Sequence, residues 1–200
     1  MFGIGRATVQ QAIRILEAEG LVQRRRGRAG GTFIVGPISP RGSKRRLLAR
    51  LREERPVLVD ALAFRLSVEP EIAAVAAVTR TEDDLSALRA AWERAASALD
   101  DAEFMRFDSQ FHLAMGRATH NRFFVDTAER LRLALNQALM ALPESALWHA
   151  RSNAEHRRIL VAIEAREPAR ARSALRAHVA NTEVSIRALL RALSCAGPEI

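Results

Sequence analysis

Residues 107–124, FDSQFHLAMGRATHNRFF, carry two chemically active side chains in an otherwise largely apolar stretch. Asp108 and His112 are four residues apart, which is about one turn of an α-helix, so both side chains would lie on one helical face. A carboxylate and an imidazole placed in this way can share a proton or bind a metal ion. They can also simply face solvent, and the spacing alone leaves these alternatives open.

The composition predicts that this pair lies in a mainly helical protein. Hydrophobic residues make up 48% of the 200 residues and aromatic residues only 5%, while alanine, leucine and arginine, which are good helix formers, are abundant. Cys195 is the only cysteine, so no disulfide can form within the chain. No apolar run approaches the roughly 18 residues of a membrane span, and no secretory segment follows Met1. We therefore expect a cytoplasmic protein with no membrane partner.

The positive charge is concentrated at the start of the chain. Residues 1–55 contain 13 arginines and lysines against four acidic residues, whereas the other 145 residues contain 18 against 19. A basic segment joined to a neutral body indicates that the segment meets a polyanion, with nucleic acid the first candidate and an anionic membrane surface the second.

The basic segment has the pattern of half a winged helix-turn-helix. Residues 6–19 have apolar residues at helical spacing, and Gly20 supplies a stop. Two short β-prone runs, 21–24 and 32–35, flank an arginine- and glycine-rich turn and predict a hairpin. A recognition helix followed by a basic hairpin is typical of this DNA-binding fold.

The rest of the chain predicts an all-α antiparallel bundle of six to seven helices with short loops. Thr81 with Asp84 three residues later resembles a capping box, and Pro168 suits a first turn. The predicted helices are 44–53, 56–78, 82–99, 103–119, 122–141, 146–165 and 168–193. The fold class is therefore mainly α, a partial winged helix-turn-helix followed by this bundle.

The sequence resembles a known family over nearly its whole length. GIGRATVQQAIRILEAEGLVQRRRGRAGGTFIV is similar to the recognition helix and wing of GntR-type bacterial transcription regulators. RLSVEPEIAAVAA, TEDDLSALRAA, FDSQFHLAMGRATHN and EHRRILVAIEAREPARARSALRAHV are similar to the helical effector domain of the FadR-like, or FCD, subfamily. The resemblance implies a DNA-binding domain at 1–36, a linker at 37–45, an effector-binding and dimerisation domain at 46–193 and a tail at 194–200.

The resemblance also implies which residues meet operator DNA. The reading end of the recognition helix would carry Arg6, Thr8 and Gln10, and the wing would place Arg24, Arg25, Arg26 and Arg28 near phosphates. Gln10 stands where many relatives have arginine, so the base preference can differ. The family has two further helices before this one, whereas only MFGIG precedes Arg6, so we expect an N-terminally truncated chain with weak operator binding.

A metal site follows from the same resemblance. Asp108, His112, His156 and His178 match the ligand set of the metal-binding FCD domains. Three nitrogens and one oxygen suit Zn²⁺ or Ni²⁺ first, and also Mn²⁺ or Fe²⁺, and they leave coordination positions open for a ligand. The alternative is that these four residues form a polar pocket that binds no metal.

Arg65 matches an arginine that lines the effector pocket in several relatives, where it would bind the carboxylate of a small organic acid. The alternative is that Arg65 only pairs with Glu69, one turn later. His120 and His149 fit capping or solvent contact better than metal binding.

The function expected is that of a homodimeric, metal-dependent repressor of a metabolic operon that binds operator DNA and responds to a small carboxylate. Two alternatives stay open at this point. One is a metal-dependent enzyme using the three histidines and the aspartate, although Glu155 points about 100° away from His156 around its helix and no other general base is evident. The other is a truncated sensor module without DNA binding.

Overall fold

The chain divides into two compact units, Met1–Arg46 and Leu47–Ile200, and each is described by itself. The structure is a computed structural model that describes residues 9–10, 13, 22–25, 27, 30–34, 40–142 and 146–195.

The first unit contains the predicted hairpin. Strands β1 (Val22–Arg25) and β2 (Gly31–Ile34) pair antiparallel, with Val22 opposite Ile34. Gly27 in the connecting turn has a φ of 110°, a conformation that glycine adopts without strain. Each strand lies within one residue of its predicted position. Residues 9, 10 and 13 are helical, within the predicted recognition helix.

Helices make up the rest of the described chain. Their bounds are α1 Pro40–Glu53, α2 Arg55–Thr79, α3 Glu82–Ala96, α4 Asp101–Arg117, α5 Arg122–Met140, α6 Ala146–Glu164 and α7 Pro168–Cys195. The predicted fold class, mainly α with an all-α bundle, is confirmed. None of the helices in the described ranges combines the length and the apolar character that a membrane span requires.

Two helices extend beyond their predicted bounds. Helix α1 starts at Pro40, within the predicted linker 37–45, whose residues 37–39 lie outside the described residues. Proline is tolerated in a first turn, where its missing N–H is not needed, so its linker-like context concealed a helix start. Helix α7 continues to Cys195, two residues beyond its predicted end, and residues 196–200 of the predicted tail lie outside the described residues.

The predicted capping box at the start of α3 is present. The Asp84 backbone N–H donates to Thr81 Oγ1, and the Thr81 backbone N–H donates to Asp84 Oδ2 at 2.9 Å. The two bonds satisfy amides that the first helical turn leaves without partners. They fix the start of α3 after the short break that follows α2.

The interior of the bundle has two apolar clusters with buried polar residues between them. On α4, Phe107 belongs to one cluster and Phe111 to the other, and Asp108 lies between them. On α5, Arg132 lies between Ala128 and Leu135 in the same way. We call the buried polar residues at this level the polar layer: Arg65, Glu69, Asp108, His112, Arg132, Ser152, Glu155, His156, His178 and Thr182.

Candidate metal centre

The structure brings the four predicted metal ligands together in the polar layer. Asp108 and His112 lie one turn apart on α4, His156 lies on α6 and His178 on α7. None of the four is more than 3% exposed. Three helices therefore direct one carboxylate and three imidazoles at a common point, away from solvent.

The distances between the donor atoms fit a metal ion. His156 Nε2 lies 3.3 Å from His178 Nε2 and 3.6 Å from Asp108 Oδ1. One ring nitrogen of His112 lies with those of His156 and His178 in a group whose atoms are within 4.8 Å of one another. Two nitrogens bound tetrahedrally at zinc's usual bond length lie about 3.3 Å apart. The spacing therefore needs little adjustment to coordinate an ion.

His112 and His156 are held neutral, as metal ligands must be. Burial, together with the nearby Arg132 and Arg65, lowers the pKa of His112 well below its usual value. Burial and the neighbouring His178 lower the pKa of His156 to about 3, although Asp108 opposes this. Both ring nitrogens of His112 are buried without a hydrogen-bond partner. A metal ion would satisfy one of these atoms, whose burial is otherwise costly.

Asp108 is kept ionised in spite of its burial. Burial raises the pKa of Asp108, but the Arg132 guanidinium and the nearby histidines lower it by more, so the net pKa lies below the usual value. Arg132 donates to Asp108 Oδ2, while Oδ1 is the oxygen that faces His156. Arg132 therefore leaves one carboxylate oxygen directed at the ligand group.

Glu155 orients His178. His178 Nδ1 lies 2.9 Å from Glu155 Oε2, and Glu155 Oε1 accepts hydrogen bonds from Asn181 Nδ2 at 2.8 Å and Arg151 Nε at 3.2 Å. A proton on Nδ1 that is bound by Glu155 leaves the lone pair on Nε2, the atom that faces His156. Carboxylates commonly hold metal-binding histidines in this way.

Arg65 makes the predicted ion pair with Glu69 and also lines a pocket, so its binding of a carboxylate stays a prediction. Its Nε donates to Glu69 Oε2 at 2.8 Å, which is the predicted ion pair. Its Nη1 is buried without a hydrogen-bond partner, and the side chain lines a small pocket together with Asp108, Arg132 and His178. The Arg65 guanidinium therefore pairs with Glu69 through Nε, and its Nη1 is available to a ligand.

Two family comparisons match this chain. The FCD domain family matches residues 60–181, more than half of the chain, and the family of bacterial regulatory proteins called the gntR family matches residues 1–34. The chain belongs to the GntR family. It is a transcription regulator with an FCD domain and not an enzyme, because this family consists of regulators.

Relatives of this GntR-family regulator are similar over most of their length. The HTH-type transcriptional regulator LutR of Bacillus subtilis is 28% identical over 192 residues, which cover 91% of this chain and 84% of LutR. The HTH-type transcriptional repressor NanR of Klebsiella aerogenes is 30% identical over 198 residues, which cover 94% of this chain and 74% of NanR.

Solved structures show the same fold. Streptococcus agalactiae GntR superposes with a TM-score of 0.60 at 22% identity, covering 91% of this chain and 83% of that one. E. coli McbR/YncC gives 0.61 at 17% identity, covering 92% and 86%.

Few of the regulator's predicted DNA-binding residues fall in the described part of the chain. Gln10 is helical and exposed, as a reading position requires. Arg24 and Arg25 lie on β1. Arg6, Thr8, Arg26 and Arg28 lie outside the described residues. The DNA-binding roles of all seven residues stay predictions.

Sequence reasoning missed Arg132 and dismissed Glu155. Arg132 is 3% exposed although its neighbour Leu133 is 80% exposed, which inverts the usual preference of these residue types. The signal was in the periodicity, since Arg132 falls on the buried stripe of Ala128, Leu131 and Leu135. Glu155 similarly precedes His156 on the buried side of α6.

The two remaining histidines lie outside the ligand group. His120 is exposed in the turn after α4, with a φ of 52° and its Nε2 2.8 Å from Asp84. His149 is half-buried and differs from the solvent contact expected for it, because its ring stacks on Phe104 and its Nε2 lies 3.1 Å from Asp101.

Proposed function

We propose that this regulator is a metal-dependent repressor of a metabolic operon that responds to a small carboxylate. The observation that carries the proposal is that three histidines, His112, His156 and His178, offer ring nitrogens within 4.8 Å of one another in the polar layer, with Asp108 Oδ1 3.6 Å from His156 Nε2. Three nitrogens and one oxygen suit Zn²⁺ or Ni²⁺ first, and Mn²⁺ or Fe²⁺ after them.

A bound divalent ion would supply an electrophilic position for a carboxylate oxygen. Arg65 would bind the same carboxylate through Nη1, while Glu69 fixes the guanidinium through Nε. Asp108 and the three histidines would hold the ion, and Glu155 would keep His178 in the required tautomer.

Operator binding is assigned to the basic N-terminal segment. Residues 1–55 carry 13 basic against four acidic residues, and phosphate contacts from such a segment give affinity that depends on salt. The relatives' names support regulation of an operon, since one is the Uxu operon regulator of Haemophilus influenzae. The name of NanR, a transcriptional repressor, supports the repressor role.

The proposal is tested by separating acid binding from metal binding at Arg65. Arg65→Ala alone would leave Glu69 buried without its partner, so the variant also carries Glu69→Gln. Glu69 Oε2 also lies 3.6 Å from His112 Nδ1, so the double variant is saturated with metal, as checked by elemental analysis, before acids are added. We expect it to lose at least about tenfold in affinity for organic acids, because a charge-assisted bond is removed. Calorimetry against a panel of small mono- and dicarboxylic acids gives the affinities.

The DNA readout uses an operator selected from random duplexes with the wild-type protein. An acid that binds should change operator affinity in the wild type but much less in the double variant. A wild type that binds metal and no acid would contradict the sensor role. A chain that selects no sequence would contradict operator binding by this form.

A further inference from the structure

Two guanidinium groups line the same small pocket, and both have donors without partners. Arg65 Nη1 and Arg132 Nε and Nη1 are buried and make no hydrogen bond. The two side chains are 1% and 3% exposed, so solvent does not satisfy these donors. Unsatisfied buried donors of a charged group are costly, which indicates a ligand with several anionic oxygens.

The arginines around the pocket are already neutralised by protein carboxylates. Arg65 pairs with Glu69 and Arg132 with Asp108, and Arg151 at the rim pairs with Glu155. The histidines contribute no charge when they bind a metal. The two positive charges of a divalent ion are therefore not balanced by the protein. A buried charge needs a partner, so the balance must come from the ligand.

We infer that the ligand is a short dicarboxylate, bound as a dianion, with one carboxylate at Arg65 and the second at Arg132. This inference rests on the proposed function, because it takes the metal site and the acid pocket as given. A dianion balances the ion's charge and supplies acceptors for the free donors of both arginines. A monocarboxylate would leave one positive charge unbalanced and the donors of one arginine unsatisfied.

The size of the pocket favours a short acid. Its enclosed space is smaller than a water molecule, so a ligand must widen the pocket, and a short acid requires the least widening. A neighbouring pocket that shares Trp148, Ser152 and Thr182 with it gives additional room toward the rim. Malonate and succinate are suitable probes, because each has two carboxylates joined by a short apolar chain.

The test compares each diacid with its half-amide, which has nearly the same shape and one charge fewer. Dissociation constants of malonate, malonamate, succinate and succinamate are measured by calorimetry on the metal-loaded full chain, with inorganic phosphate as a compact dianion. We expect the better diacid to bind at least about tenfold more tightly than its half-amide, the effect of one charge-assisted contact. It should also bind more tightly than phosphate.

Arg132→Gln should reduce the preference for the diacid over its half-amide to about one. Both affinities are measured on metal-saturated protein, because the change also leaves Asp108 buried without its partner. Arg132→Lys keeps the positive charge and serves if the Gln variant does not fold; it should retain only part of the preference. Arg117→Gln, at the exposed end of α4, is the matched control and should keep the wild-type preference.

Elemental analysis of each protein distinguishes a failure of the dicarboxylate inference from a failure of the proposed function. If metal binds and the half-amide binds as tightly as the diacid, the dicarboxylate inference is wrong while the proposed function stands. If phosphate binds more tightly than either diacid, the inference is wrong as well. If neither metal nor any acid binds, both are wrong.

Discussion

At the scale of single residues, Glu155 is the neighbour of the ligands with the clearest role. It accepts the Nδ1 proton of His178 and is itself held by Asn181 and Arg151. We expect Glu155→Ala to weaken metal binding by about 10- to 100-fold, the usual effect of losing such a partner. Glu155→Gln can still accept the hydrogen bond and should lose less.

Competition with a chromogenic chelator measures this affinity. Glu167→Ala, which removes an exposed carboxylate before α7, is the control and should not change it. Equal affinities of the wild type and Glu155→Ala would mean that Glu155 has no orienting role.

The four ligands could be named from the sequence because they stand in motifs that resemble a family. Their environment could not, since it depends on packing between helices. Arg132 lies in LRLAL, where leucines are expected inside and arginine outside. The packing of α5 against α4 turns Arg132 toward Asp108 instead. The helical spacing places Arg132 on the buried side of α5, but the local sequence does not identify its partner, a carboxylate 24 residues away.

At the scale of elements, the start of α3 gives a prediction with a defined pH dependence. Burial raises the pKa of Asp84, but bonds from Thr81 and the nearby His120 lower it by more, so it lies below the usual 3.8. Because the pKa of Asp84 is lower in the folded than in the unfolded chain, its ionised carboxylate stabilises the fold above about pH 4. This stabilisation is lost as the pH falls through the folded-state pKa.

The stabilisation by ionised Asp84 is tested by comparing the stability of Asp84→Asn with that of Asp83→Asn. The Asp83 substitution removes an exposed carboxylate from the same helical turn. In urea unfolding at pH 7, we expect Asp84→Asn to be less stable than Asp83→Asn by about 0.5–1 kcal/mol. The difference should shrink as the pH is lowered through the folded-state pKa of Asp84, which lies below 3.8. A difference that does not change with pH would exclude the ionised cap as its source.

Helix positions were largely predictable, because each helix has apolar residues at regular spacing and clear ends. All seven predicted segments correspond to observed helices. The largest error is α1, which begins at Pro40, four residues before its predicted start. Proline, glycine and serine have the same composition in a linker and in a first turn, so their sequence does not distinguish the two.

At the scale of the whole molecule, the polar layer is the feature of the fold that lowers the free energy of unfolding unless its groups are paired. It places ionised and neutral polar groups between two apolar clusters, where each must find a partner. Metal binding to the folded chain alone would stabilise it by about 2.7 kcal/mol at one hundred times the dissociation constant. We therefore expect the metal to contribute to stability as well as to sensing.

The assembly also belongs to this scale. Helix-turn-helix regulators commonly read two half-sites about one turn of DNA apart, which requires two-fold symmetry. We expect light scattering at micromolar concentration to give twice the 22.1 kDa of one chain. A mass of one chain under these conditions would contradict the homodimer.

The metal content is the most direct measurement of the central claim. Protein purified without a histidine tag or chelators should contain about one divalent ion per chain, and zinc or nickel should raise the melting temperature of chelator-treated protein. His156→Ala and His178→Ala should lose the ion and this rise together. His120→Asn should keep both, because His120 lies outside the ligand group and asparagine tolerates its positive φ. Wild-type protein with no metal and no thermal shift would contradict the metal site. The four residues would then form only a polar pocket in a helical bundle.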